Sequence, residues 1–200
     1  AGCRGAAGRR RVSGTHGRVV ARLTEVKTTG GRMVHGGHDA TRSRRSAGNS
    51  PLVVLVYGGP AVRRVTDSWW TTDDLLAPYL TERGFAVWKT DNKGSSRRGL
   101  AFEGAIDRRL GTIEVDDQLH GVRWLADQGL VDPDRIGIYG WSYGGYMTAL
   151  CLVKGAGVFR VGVAGAPVTS WDGYDTHYTE RYLGTPTANP DGYREGSALA

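Results

Sequence analysis

The sequence predicts an α/β fold, a mainly parallel sheet with helices on both faces, across residues 51–200. Three observations carry that expectation. Residues 52–57 form an unbroken apolar run rich in valine, the pattern of a strand buried on both faces. Short apolar runs then alternate with stretches of helical period, which indicates βα units and parallel pairing. Glycine-rich or polar segments punctuate the alternation, as at Gly84 and across 91–99.

In chain order, 52–57 is the first strand of this region. Asp73 or Asp74 can cap a helix that runs to about Arg83, where Gly84 ends it. Residues 85–89 read as the next strand and 91–99 as a loop. Ile113, Val115, Leu119, Val122 and Ala126 are spaced for one face of a helix over 112–128. A strand at 135–139, a helix at 143–153 and a strand at 159–164 follow.

Residues 1–50 differ in kind. They hold 11 Lys/Arg against 2 Asp/Glu, a balance of +9, whereas 51–200 hold 15 against 18, a balance of −3. Gly, Arg, Ser and Thr dominate, and apolar periodicity is weak apart from strand-like runs at 19–26 and near 33–34. Poor order is the expectation for this segment, with a domain boundary at about residue 50. The basicity carries no nucleic-acid-reading motif, so no nucleic acid is expected as a partner.

No apolar run approaches the length of a membrane span, and residues 1–20 lack the apolar centre of a leader. No membrane attachment is expected from the chain as written, and the cytoplasm is favoured. Cys3 and Cys151 are too few for a disulfide framework. His35-Gly36-Gly37-His38 lacks a third ligand cluster, and no phosphate loop or dinucleotide fingerprint is present, so no metal or cofactor is expected.

Gly140-Trp141-Ser142-Tyr143-Gly144 matches Gly-x-Ser-x-Gly at a predicted strand-to-helix junction. A serine on so sharp a turn lifts its hydroxyl clear of the sheet edge, and the flanking glycines let strand and helix approach closely. Glycine is abundant enough here that roughly 0.2 matches arise by chance, so the junction matters more than the motif. Apolar residues 135–139 before it and 145–150 after it supply that context. Ser142 is the candidate nucleophile.

With Gly145 added, the motif resembles the active-serine motif of the prolyl oligopeptidase family, in its dipeptidyl peptidase IV-like branch. Four further stretches agree in order and spacing: Val56-Tyr57-Gly58-Gly59-Pro60, Arg108-Arg109-Leu110-Gly111-Thr112, Glu114-Val115-Asp116-Asp117-Gln118, and Tyr174-Asp175 followed by Tyr178-Thr179-Glu180-Arg181-Tyr182. The resemblance runs from about residue 51 to about 196. It implies an α/β-hydrolase fold, C-terminally incomplete, in a serine peptidase cleaving after proline or alanine near the N-terminus of peptides. It implies an oxyanion hole from the Tyr57 hydroxyl and the Tyr143 backbone N–H, and a proline-ring pocket lined by Val168, Trp171, Tyr174 and Tyr178. It further implies a peptide substrate and a longer parent, homodimeric and carrying a β-propeller.

A serine peptidase needs a histidine base and an acid to orient it. After Ser142 the chain offers Asp172, Asp175 and Asp191 but a single histidine, His177. A triad from Asp172 or Asp175 with His177 would draw acid and base from one short loop, with no strand to carry each to the sheet edge. The resemblance instead puts acid and histidine on later strands, beyond Ala200, so this chain alone is expected to be inactive. An acylaminoacyl peptidase or esterase on the same fold, and a non-catalytic hydrolase-like remnant, stay open.

Overall fold

Alternate residues of β4 (Leu52–Val56) enter two different cores, which is why the run is apolar throughout. Leu52, Val54 and Val56 pack with Trp88, Ile136, Ile138 and the helices of one face, whereas Val53 and Leu55 pack with Val87, Tyr139 and Ala77 on the other. Successive side chains of a strand point to opposite faces, so a strand covered on both sides has no polar position. The computed structural model describes residues 10–13, 20–28, 31–39, 50–66 and 75–200, and before residue 50 it describes side chains only for 24–26.

The described strands are β1 (Arg10–Ser13), β2 (Val20–Thr28), β3 (Gly31–Asp39), β4, β5 (Ala86–Asp91), β6 (Ile136–Trp141) and β7 (Val161–Gly165). They form one sheet in the order β1-β2-β3-β5-β4-β6-β7. β5, β4, β6 and β7 are parallel neighbours, and β3 joins β5 antiparallel, extending the sheet through β2 to β1. The parallel half is the expected α/β core. The strand-like run at 19–26 overlaps β2 from Val20 onward, residue 19 lying outside the described residues, and 33–34 falls within β3.

The helices are α1 (Leu76–Glu82), α2 (Leu100–Glu103), α3 (Ile113–Asp127), α4 (Tyr143–Lys154), α5 (Thr176–Leu183) and α6 (Pro190–Glu195). α1 closes the smaller core through Ala77, Leu76 and Leu80, and α3 and α4 close the larger one, so both sheet faces are covered. Gly84, at φ +86°, follows the end of α1, while the proposed caps Asp73 and Asp74 lie outside the described residues. β7 starts two residues later than the apolar run at 159 suggests. Phe159 packs into the larger core ahead of the strand.

α3 departs from a simple apolar face. Val115, Leu119 and Val122 of the expected face are buried, Ile113 and Ala126 are half-buried and Leu125 is buried beside Ala126, but Glu114, Asp117 and Gln118 are buried among them. Buried polar side chains need partners, and those partners lie at the sheet's carboxyl edge. Among the described residues, no helix is long and apolar enough to cross a membrane. Cys151 is buried in α4, where desolvation pushes its thiol up to about 12 and leaves it a small hydrophobe.

Candidate active site

The turn from β6 into α4 is set by backbone collisions that only glycine avoids. A Cβ on Gly140 would strike the carbonyl of Gly144 and lie 2.7 Å from that of Val56. One on Gly144 would strike the Val56 carbonyl, and one on Gly145 would strike the Gly165 carbonyl. Free of side chains at these points, α4 drops onto the ends of β4 and β7. Ser142 takes up the bend at φ +58°, ψ −119°, a strained region for a residue with a Cβ. Its side chain is exposed and caps nothing.

Ser142 N donates to Gly165 O at 2.9 Å and Tyr146 N to Ser142 O at 3.0 Å. The amide of Tyr143, first in α4, has no acceptor among the described residues. First-turn amides of a helix have no partner within it, and the helix dipole adds positive potential there. The elbow therefore sets an exposed hydroxyl beside an open donor.

Parallel register places Val56 opposite Gly140, so Tyr57, one residue past β4, stands at the same sheet edge as the elbow. A Cβ on Gly144 would lie 3.2 Å from Tyr57 Cα. The Tyr57 and Tyr143 rings are 6.1 Å apart, and the Tyr57 hydroxyl has no hydrogen-bond partner among the described residues. Burial raises its pKa, with Tyr174 and Tyr182 adding to the rise and Arg64 opposing it, so the phenol keeps its proton. Gly58, at φ +74°, turns the chain, and Gly59 makes room for the two rings. A Cβ on Gly59 would lie 2.8 Å from both the Tyr57 and Tyr143 rings.

The Tyr143 side chain points inward, donating from its hydroxyl to Glu114 Oε1 at 2.9 Å. Glu114 also accepts from the amides of Gly111 at 3.0 Å and Thr112 at 3.1 Å. Burial raises the Glu114 carboxyl against the pull of these donors. Burial first, and then the Glu114 charge, lift the Tyr143 phenol well above its ordinary value.

Aromatic rings continue from Tyr143 toward the surface. Trp171, almost fully buried, lies 5.7 Å from Tyr143 and 5.0 Å from Tyr146, and Tyr178 stacks on it at 6.0 Å. Tyr174, 43% exposed, meets Trp171 and Tyr178 edge-on at 5.8 and 5.6 Å. Val168, half-buried, packs against the same core. Trp171 thus forms the floor of the cluster and Tyr174 its rim. The Asp175 carboxylate caps α5 by accepting from Tyr178 N at 2.8 Å, which orients the helix that carries Tyr178 and Tyr182.

The profile of the Prolyl oligopeptidase family matches residues 70–200. The chain belongs to the prolyl oligopeptidase family. It is 47% identical over 148 residues to dipeptidyl peptidase 8 of Mus musculus, covering 74% of this chain and 17% of that protein. It is 43% identical over 157 residues to dipeptidyl peptidase 4 of Sus scrofa, covering 75% of this chain and 20% of that protein. A crystal structure assigned as a dipeptidyl aminopeptidase IV from Bacteroides ovatus superposes with a TM-score of 0.87 at 36% identity, over 92% of this chain and 26% of the other. The chain thus spans about a fifth of the length of the curated family members it matches.

The stretches that resemble the family converge in space. Arg108 N donates to Tyr182 O at 2.8 Å, Glu114 accepts from the Tyr143 hydroxyl, and Val56 pairs with Gly140. The alternative acid–base pairs do not form. Asp175 is engaged as a helix cap, Asp172 accepts from Ser170 Oγ, and His177 is exposed on α5. No histidine hydrogen-bonds Ser142 among the described residues, and no metal-ligating cluster occurs among them. The side chains of His35 and His38 lie outside the described ones. Tyr146 and Tyr182 also join the aromatic cluster, although neither is among the pocket residues that the resemblance implies. Tyr146 lies three residues beyond Tyr143 on α4 and Tyr182 four beyond Tyr178 on α5, the spacings that share a helix face.

Proposed function

We propose that Ser142 is the nucleophile of a serine peptidase that removes dipeptides from peptide N-termini by cleaving after proline or alanine. The exposed Ser142 hydroxyl, held at the strained elbow beside the open Tyr143 amide and the Tyr57 ring, carries the reading. Its Oγ attacks the scissile carbonyl carbon while a histidine takes its proton. The C=O π pair moves onto oxygen, and the Tyr143 N–H and Tyr57 O–H donate to that oxyanion. Such donors contribute about 3–4 kcal/mol each when aimed at the developing charge. Collapse expels the leaving amine, protonated by the histidine, and water then releases the acyl group from Ser142.

The ring of a proline or the methyl of an alanine sits among Val168, Trp171, Tyr174 and Tyr178. Flat apolar walls suit a compact residue whose amide nitrogen has no proton to satisfy. In this reading the acid and the histidine come from sequence beyond Ala200, in a longer protein with a β-propeller that holds the peptide's free amine, active as a homodimer. The test is release of a chromophore from a Gly-Pro derivative by the full-length protein, with a fluorophosphonate probe reporting the activated serine. Ser142→Ala is expected to lower turnover at least about 10³-fold and abolish labelling. Unchanged labelling of Ser142→Ala would remove Ser142 from the mechanism. A short-chain ester hydrolysed far faster than any prolyl peptide would favour the esterase on this fold instead.

A further inference from the structure

The two proposed oxyanion donors differ in how they are held. Tyr143's amide is part of the helix backbone, whereas the Tyr57 hydroxyl ends a side chain that has no hydrogen bond of its own among the described residues. Its place depends on the backbone at the end of β4, and the next residue, Gly58, is where that backbone turns, at φ +74°.

A buried amide relay holds that turn. Gly58 O accepts from Asn92 Nδ2 at 2.9 Å, and the same nitrogen donates to Lys93 O at 2.7 Å. Asn92 Oδ1 accepts from Gln118 Nε2 at 2.9 Å, and that nitrogen donates also to Thr90 O at 3.3 Å. Both side chains are fully buried. Each NH2 group therefore spends both protons, which fixes the direction of the relay from Gln118 to Asn92 to Gly58. Asn92 Oδ1 lies 3.0 Å from where a Cβ on Gly58 would stand, so turn and amide are fitted to each other.

The loop carrying Asn92 is clamped to the same helix. Lys93 N donates to Asp117 Oδ2 at 2.9 Å and Lys93 Nζ to Asp117 Oδ1 at 2.8 Å. One turn earlier on α3, Glu114 holds the Tyr143 hydroxyl. Residues 114 and 118 share a helix face, so α3 is a common reference for both donors, reaching one through Tyr143 and the other through Asn92 and Gly58.

We propose that Gln118 and Asn92 are positioning residues for the Tyr57 hydroxyl, fixing its distance from the Tyr143 amide. The inference rests on the oxyanion reading of Tyr57 above. A donor displaced by about 1 Å from a developing charge costs up to about 10²-fold in rate, so a loosened turn is visible in turnover while leaving the substrate pocket alone.

The test is a double-mutant cycle in the full-length protein, with Gln118→Met and Tyr57→Phe, read on a Gly-Pro chromogenic substrate. Gln118→Met is expected to lower kcat about tenfold with KM within about twofold, and to lower it less than about twofold further once Tyr57 is already phenylalanine. Equal losses in both backgrounds, or no loss in either, overturn the positioning role while leaving Tyr57 as a donor. An unchanged kcat for Tyr57→Phe alone overturns the donor reading and the relay with it. If Gln118→Met does not fold, Asn92→Ser removes the bond to Gly58 and is read by the same cycle and the same criteria.

Discussion

The elbow and the aromatic segment from Val168 to Tyr182 are built on opposite principles. Around Ser142 the geometry is dictated by backbone meeting backbone, and Gly140, Gly144 and Gly145 each stand where any Cβ would strike a carbonyl. Around Tyr178 it is dictated by ring meeting ring, at centroid distances of 5.0 to 6.0 Å. Backbone carbonyls fixed in sheet and helix cannot yield, whereas the part-exposed rings of Tyr174, Tyr178 and Tyr182 can re-pack. The first region is therefore brittle and the second adaptable, which suits one to chemistry and the other to recognising a side chain.

The largest effect expected from this contrast is at Gly144. Alanine there gains about 1 kcal/mol of helix propensity, but its Cβ drives against the Val56 carbonyl and crowds Tyr57 Cα. Overpacking against rigid backbone costs about 1–3 kcal/mol and shifts the elbow, so Gly144→Ala is expected to reduce peptide turnover about 10²-fold. Gly173, inside the aromatic segment, has nothing within 4 Å of its would-be Cβ. Gly173→Ala should change turnover less than about twofold. Equal sensitivity at the two glycines, measured side by side, would erase the distinction.

A smaller effect is expected at Tyr178, whose ring contacts Trp171, Tyr174 and Tyr182. Aromatic pairs contribute about 0.5–1.5 kcal/mol each. Tyr178→Ala is expected to raise KM for a prolyl substrate about tenfold with a smaller change in kcat, and Tyr178→Phe to restore KM to within about threefold. A Phe variant as impaired as Ala would show that the hydroxyl, not the ring, does the work.

The same contrast explains what the sequence discloses. The parallel half of the sheet is legible because β4 and β6 are apolar runs bounded by turn residues, and α3 and α4 carry a helical period. The elbow is legible because backbone collisions demand glycine, and glycine can be read directly. Helix α3 is only half legible. Its apolar positions announce the helix, but Glu114, Asp117 and Gln118 look like surface residues until Tyr143, Lys93 and Asn92, between 24 and 29 residues away, come to meet them. The aromatic segment likewise reads as a run of tyrosines in a loop. Its grouping around Trp171 depends on contacts between separate turns, and only resemblance to a family marks it beforehand.

The smallest expected effect lies at Glu114, where the two regions join, since Tyr143 belongs to the elbow, touches Trp171 with its ring and bonds Glu114 with its hydroxyl. Two influences compete there. Burial disfavours the carboxylate, and three donors favour it, with burial the larger, so the folded pKa stands above the ordinary 4.5. With the folded value raised, the folded protein binds more protons than the unfolded chain once pH exceeds 4.5. Stability from this group is then full below that pH and declines as pH rises through the folded value. Glu114→Gln removes the titration and leaves one donor facing an amide NH2 instead of an oxygen. The stability difference between native protein and Glu114→Gln should therefore narrow from pH 4.5 toward neutrality, as measured by denaturant unfolding at each pH. A difference that widens over that range would mean the three donors outweigh burial, and that the elbow is braced by a charged carboxylate.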